Sequence, residues 1–347
     1  MDRSFPSTVR MVDIARRAGC SHAAVSHVLT GAGAGKIRVS AKKAILIRRI
    51  ARQLDFQPNH AARQLKGMHS HILGIISRNW RDVFQLRMFS WLQQSAAGRG
   101  YQVLASQCQT PAELREAART FRSRDVDGAL CYAPLWEDPQ PGLERVLSQW
   151  GPVVSLFGPV GMPGCGCVEL DEADGIRQAV AHLHQRGRRR IALLLERESA
   201  STRSRRDGYL SAHRDLRLAV CPQLQYAGTA DWVWDLPGFE QRVDAVVRRL
   251  ALDEGADAVI AHDDYGAALV IQALSRLGLA VPKDVAIVGY QNDLIAHHLN
   301  PPLTTLHVPV REIVEQAVEM LIGMIQNPGT QPARQTVTPS LVVRGST

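Results

Sequence analysis

From Ile72 to the end of the chain, short apolar runs alternate with amphipathic stretches. The runs at 72–76, 101–105, 128–132, 153–156, 191–195, 258–261 and 285–289 read as buried strands, being too short and too uniformly apolar for half-exposed helices. Helical periodicity fills the gaps, for example over 84–97, 113–122, 175–185, 206–214 and 265–277. Alternation at this spacing predicts an α/β body of parallel sheets covered by helices on both faces.

The first fifth of the chain has a different rhythm. Val9, Val12, Ile14, Ala15 and Ala18 form an apolar stripe on a short helix that also carries Arg10, Arg16 and Arg17. Gly19 supplies a turn, because a tight helix–helix connection often needs positive φ. Ser21 is a good N-cap for a second helix over 22–29, with Val25, Val28 and Leu29 inward and His22, Ala23, Ser26 and His27 outward. A third helix is capped by Ser40 and runs to Leu54. Lys42 and Lys43 stand in its first turn, where the helix dipole disfavours cations unless an anion lies alongside. The pattern is a helix–turn–helix, whose second helix can present backbone N–H groups to a phosphate.

Charge sharpens this division. Residues 1–69 hold 13 Lys/Arg against 3 Asp/Glu, whereas the remaining 278 hold 28 against 30. A basic module joined to a near-neutral body is the footprint of a polyanion partner; a merely solvated basic arm would not carry the ordered helical pattern. No run approaches the ~20 apolar residues of a membrane span, and no apolar segment precedes the first helix as in a signal peptide. Six scattered cysteines form no zinc or disulfide framework, which fits incidental thiols in a reducing cytoplasm. The loop Gly31-Ala-Gly-Ala-Gly-Lys36 is not a phosphate loop, since only three residues separate Gly31 from Gly35 and Ile37 follows the lysine.

The stretch Val9-Arg-Met-Val-Asp-Ile-Ala-Arg-Arg-Ala-Gly-Cys-Ser-His-Ala-Ala-Val-Ser-His-Val-Leu-Thr30 resembles the N-terminus of the lactose/galactose-repressor (LacI/GalR) family, and Leu54-Asp-Phe-Gln-Pro-Asn-His-Ala-Ala-Arg-Gln-Leu65 resembles its hinge. The resemblance implies a second helix in the major groove and a hinge that becomes helical on operator DNA. A hinge leucine, matched by Leu65, would wedge into the minor groove. By position it makes Ser21, His22, Ala23, Ser26, His27, Lys42, Lys43, Asn59, Ala62 and Leu65 the DNA-binding candidates. His27 stands where the family usually has Arg and Ala24 where it often has Thr. A histidine makes at most one bond to a purine edge, so a different base preference is expected. The loop 31–36 is about two residues longer than the family's usual one.

The body resembles the same family, most strongly at 181–193, 279–290 and 301–305. The resemblance implies two lobes of the periplasmic-binding-protein type, doubly wound parallel sheets with the ligand beyond their strands' carboxyl ends. The domains then run 1–57 (helix–turn–helix), 58–70 (hinge) and 71–347 (core), with one lobe about 71–168 and 306–335 and the other about 169–305 and 336–347. Arg205 matches the arginine that clamps the effector. Asp263 matches the acid of an Asn-Asp pair whose Asn is His262 here. Gln291 and Phe157 stand where sugar-binding members use Asp, which weakens a simple free-sugar assignment. Trp80 and Phe84 replace a common Asn-Pro-Phe-Phe segment and either line the cleft or pack between protomers. The chain ends close to the family's usual end, without a tetramerising tail.

These features point to a sequence-specific DNA-binding transcriptional regulator, a repressor by resemblance. The partners expected are a near-palindromic double-stranded operator, a second copy of the chain, and a small-molecule effector such as a sugar or sugar derivative. No cofactor, metal site, membrane role or enzyme activity is read: no nucleophile elbow, His-Glu-x-x-His or full Gly-x-Gly-x-x-Gly occurs, and the paired histidines do not share a helical face. A periplasmic-type solute-binding protein is the alternative, and the basic module argues against it.

Overall fold

The structure is a computed structural model that describes residues 9–30, 37–56, 69–77, 83–132, 151–158, 164–195, 199–229 and 238–347. It divides into two compact units, Met1–Ser70 and His71–Thr347.

The first unit is a three-helix head: α1 (Met11–Ala18), α2 (His22–Thr30) and α3 (Ala41–Gln53). Asp13 reaches back to the Arg10 N–H at 2.9 Å, fixing the start of α1. Gly19 ends it in the left-handed region at φ 59°, its N–H bonded to the Ala15 carbonyl, which only glycine adopts without cost. Ile14, Ala15, Ala18, Val25, Ile47, Ile50 and Ala51 close a small core, with Val28, Leu29 and Leu54 packed against it. Val12 is instead 43% exposed and is not part of the apolar stripe, because α1 begins at Met11 and turns that position outward.

The second unit holds two six-stranded sheets. The first contains β1 (Ile72–Ser77), β2 (Gln102–Gln107), β3 (Gly128–Tyr132), β4 (Val153–Phe157), β5 (Gly166–Leu170) and β11 (Arg334–Val337), in the order β11-β5-β4-β3-β1-β2 and parallel throughout. The second contains β6 (Ile191–Leu195), β7 (Gln225–Ala227), β8 (Ala258–Ile260), β9 (Ala286–Gln291), β10 (Thr304–His307) and β12 (Ser340–Val342), in the order β12-β10-β9-β8-β6-β7. Only the edge strand β12 runs antiparallel to its neighbour. The helices between them are α4 (Val83–Gly98), α5 (Pro111–Ser123), α6 (Glu172–Gln185), α7 (Ala200–Asp215), α8 (Phe239–Arg248), α9 (Asp264–Arg276), α10 (Leu294–His298) and α11 (Val310–Gln326).

The chain passes between the sheets three times, after Leu170, His307 and Val337, each two residues later than the lobe limits read from the sequence. The crossings are tied to one another. The Asp171 N–H donates to the Val337 carbonyl at 2.9 Å, and Gln178 bonds both the Pro339 carbonyl and the Leu341 N–H. One apolar cluster runs from Leu73 and Ile75 of the first sheet to Ile191 and Leu193 of the second.

Candidate functional site: a nucleic-acid face and an interlobe cleft

In the head, Ser21 Oγ accepts from the Ala24 N–H at 3.1 Å and so caps α2. His22 and Ala23 are exposed on the first turn and His27 is half-buried. Ser26, expected to face outward, is only 7% exposed; a serine beside wholly buried Val25 is small enough for the packing there to cover it. Lys42 is exposed, but Lys43 points into the head, where its Nζ donates to the Ala18 carbonyl at 2.8 Å. The negative partner anticipated for Lys43 as a phosphate is therefore supplied by the C-terminus of α1. Asn59, Ala62 and Leu65 lie outside the described residues, as does Trp80 in the body.

In the body, Phe157, His262 with Asp263, and Gln291 stand at the carboxyl ends of β4, β8 and β9, whereas Arg205 and Phe84 stand on helices α7 and α4. Arg205, on α7, is the centre of one group. Its Nε donates to Glu172 Oε2 at 3.0 Å, one terminal nitrogen to Oε1 of the same carboxylate at 3.4 Å, and the other to the His262 carbonyl at 2.7 Å. The guanidinium lies 3.8 Å above the centre of the Tyr290 ring. Both members of the ion pair are largely buried, at 13% and 10% exposure. Burial is the largest influence and opposes the Arg205 charge, but Glu172, Tyr290 and Asp263 together outweigh it and hold the pKa above the usual arginine value. Removing one member of such a pair strands the other and costs about 3–5 kcal/mol.

Asp263 is the N-cap of α9: Oδ1 accepts from the Gly266 N–H at 2.6 Å, while Oδ2 lies 3.1 Å from His262 Nε2. Burial alone would raise this carboxyl, yet the His262 ring, the Gly266 N–H and Arg205 together hold it below the usual range. Tyr290 is 1% exposed, and its hydroxyl is buried without a hydrogen-bond partner among the described residues. Buried polar atoms of this kind ask for a partner.

A second group is aromatic. The Phe84 ring packs tilted on Phe157 at 5.3 Å between centroids, and Tyr132 meets Phe157 edge-on at 5.5 Å. Phe84 is 6% exposed, so it is an internal wall and not a surface left for a second protomer. Phe157 sits at φ 67°, Gln291 at 100° and Asn292 at 53°. Non-glycine residues held in the left-handed region cost on the order of 1–3 kcal/mol each and persist where surroundings over-determine them. All three lie at the carboxyl ends of β4 and β9.

The second lobe also holds an acidic network. Asp264 is wholly buried, accepting the Thr305 hydroxyl on one oxygen and the Asp293 N–H on the other. Only a glycine fits opposite, because a Cβ at Gly289 would fall 2.2 Å from Asp264 Oδ1. Asp293, 1% exposed, is ion-paired with Arg87 of α4 and so links the two lobes.

The structure thus brings Arg205, His262 and Asp263 together, and separately Phe84 and Phe157; Gln291 is half-buried, one residue beyond Tyr290. Glu172, Tyr290 and Tyr132 were not read from the sequence. The available signals were local: an acid opening a helix directly after a strand, and tyrosines at the ends of apolar runs. Among the described residues no cluster of three or more His, Cys, Asp or Glu is placed to hold a metal ion, and no helix is long and apolar enough to cross a membrane.

Comparison with known proteins follows the same division. Residues 10–59 match bacterial regulatory proteins of the lacI family, and residues 180–347 match a periplasmic binding protein-like domain. The ribose operon repressor of Escherichia coli K12 is 27% identical over 347 residues, covering 97% of this chain and 99% of the relative. The transcriptional regulator CelR of Thermobifida fusca is also 27% identical, over the whole of both chains. Among solved structures, the Lac repressor dimer bound to operator shares the fold at TM-score 0.80 and 23% identity, over 98% of this chain and 99% of that one. A LacI-family regulator from Sanguibacter keddieii aligns at TM-score 0.67 and 29% identity, over 80% of this chain and 99% of that one. A lacI-family helix–turn–helix head and a periplasmic-binding-protein-like body, aligned together along the full length of named repressors, give this chain the two-part organisation of a DNA-binding transcriptional regulator.

Proposed function

We propose that the chain acts in the cytoplasm as a homodimeric repressor whose operator affinity is set by a small polyhydroxy molecule, a sugar or sugar derivative, bound between the lobes. The observation that carries the effector half is the Arg205 guanidinium. Three of its five N–H donors are used internally, which leaves two, and the guanidinium lies over the ring of Tyr290, whose hydroxyl has no hydrogen-bond partner among the described residues. Donors fixed on a buried scaffold suit hydroxyl oxygens. Phe84, Phe157 and Trp80 supply apolar surface for a ring face, and His262, Asp263 and Gln291 the polar rim. In one solved relative of the same fold, CelR, the complex is with cellobiose.

For the DNA half, His22, Ala23 and His27 read base edges, Ser21 and the first N–H groups of α2 meet phosphate, and Lys42 adds charge. Ser26 and Lys43 support the head from inside. The hinge segment 58–66 is too short to be helical alone; in this reading it orders only over the minor groove, with Asn59 and Ala62 towards the duplex and Leu65 wedged at the centre. Two heads on a two-fold axis require half-sites about one helical turn apart. Selection of binding sites from random DNA by the full-length protein is expected to return an inverted repeat. Recovery of unpaired, asymmetric sites would contradict the dimer.

A further inference from the structure

Glu172 is the first residue of α6, immediately after the crossing at Leu170–Asp171, and only 7% exposed. Its carboxylate takes two bonds from Arg205 and a third from the Ser201 hydroxyl. Arg205 would otherwise present a bare positive charge to the cleft, the group best suited to a carboxylate or phosphate. Here the charge is cancelled by an acid of the protein itself, held in bidentate register without a ligand. Asp263 adds a second carboxylate close to Arg205, and Arg87, at the interlobe boundary, is paired with Asp293.

We propose that Glu172 is a specificity-determining residue that makes the cleft refuse anions: by occupying Arg205 it leaves hydrogen-bond donors without net charge, so neutral polyhydroxy ligands enter and their acid or phosphate counterparts do not. The inference rests on the cleft reading above and deepens it. An anionic ligand would have to displace Glu172 from Arg205 and strand its carboxylate in a buried site, or sit against both Glu172 and Asp263; either is unfavourable, because a buried unpaired charge is costly and like charges repel. A hydroxyl pair has neither problem. It accepts from the two spare guanidinium donors and meets the Tyr290 O–H, and the ion pair stays whole.

The test uses full-length protein and titration calorimetry with inorganic phosphate, D-glucuronate and D-glucose 6-phosphate in the millimolar range. The wild type is expected to show no saturable binding of any of the three. Glu172→Gln, which keeps an oxygen for Ser201 but uncovers the Arg205 charge, is expected to acquire saturable binding of at least one of them, tightened at least about tenfold over the wild type. The gain should vanish in Glu172→Gln/Arg205→Ala. Circular dichroism and operator binding establish that each variant is folded. If Glu172→Gln does not fold, Glu172→Asp keeps the charge with shorter reach, and the same gain at smaller amplitude is expected. Saturable anion binding by the wild type that is lost in Arg205→Ala would overturn the proposal, and so would a folded Glu172 variant that gains none. Failure of the cleft reading looks different: no neutral sugar would then alter operator binding, whatever residue stands at 172.

Discussion

Asp264 is wholly buried, and its carboxyl is pushed up to about 7, chiefly by burial and further by the charges of Asp263 and Asp293, against the donors Thr305 and the Asp293 N–H. An unfolded aspartate ionises near pH 3.9. Between there and about pH 7 the folded state therefore holds a proton that the unfolded state has lost, and stability falls as pH rises through that window. His182, His213 and His307 are lowered by burial and pull the other way, adding stability as pH rises towards the unfolded histidine value. Comparison with Asp264→Asn isolates the aspartate. Asn keeps an oxygen for the Thr305 hydroxyl, so the wild type is expected to be the more stable at pH 5 and to lose a few kcal/mol of that advantage by pH 8. A difference in melting temperature independent of pH would contradict this. Asp264 could be read as one half of Asp263-Asp264, but its burial could not, since nothing local marks which of two adjacent acids caps a helix and which is driven under a sheet. Glu172 and Arg205 are 33 positions apart, and their pairing exists only because α6 and α7 pack together.

At the scale of elements, the strands readable from the chain were the apolar ones. The sequence reading did not include β5, β7, β10, β11 or β12. In β10 two buried threonines, Thr304 and Thr305, break the apolar run, and β11 is an exposed edge strand of polar residues. Such strands are specified by their neighbours more than by their own pattern. The head shows the same limit: α3 and its Ser40 cap were legible, while the Lys43 tie from α3 to the end of α1 was not. That tie separates two adjacent lysines. Lys43→Ala is expected to destabilise the head by about 1 kcal/mol through loss of a charge-assisted bond to a helix C-terminus, read as a lower melting temperature of that unit. Lys42→Ala is expected to leave melting unchanged and to lower the slope of log affinity against log salt by about one. Equal effects of the two on the salt slope, with no loss of stability for Lys43→Ala, would return Lys43 to the phosphate-contact role.

At the scale of the molecule, three crossings at Leu170, His307 and Val337 connect the lobes, and under the proposed function the groups that meet at their boundary are those through which a ligand would act. Glu172 follows one crossing directly, Arg205 holds it, and Arg87 reaches Asp293 from the other lobe. A molecule bonded to Arg205 and stacked on Phe157 contacts both lobes, so it favours one interlobe arrangement by its differential affinity. Coupling of this kind is worth about 1–3 kcal/mol, or roughly 5–150-fold in operator affinity. The measurement that tests the account most directly is the affinity of wild type and Arg205→Ala for the selected operator, with and without saturating amounts of each member of a neutral-sugar panel. The account predicts that at least one sugar changes the wild-type affinity about tenfold or more, and that Arg205→Ala binds operator as the wild type does without ligand yet no longer responds. A full ligand response retained by Arg205→Ala, or no response of the wild type to any neutral sugar, would contradict it.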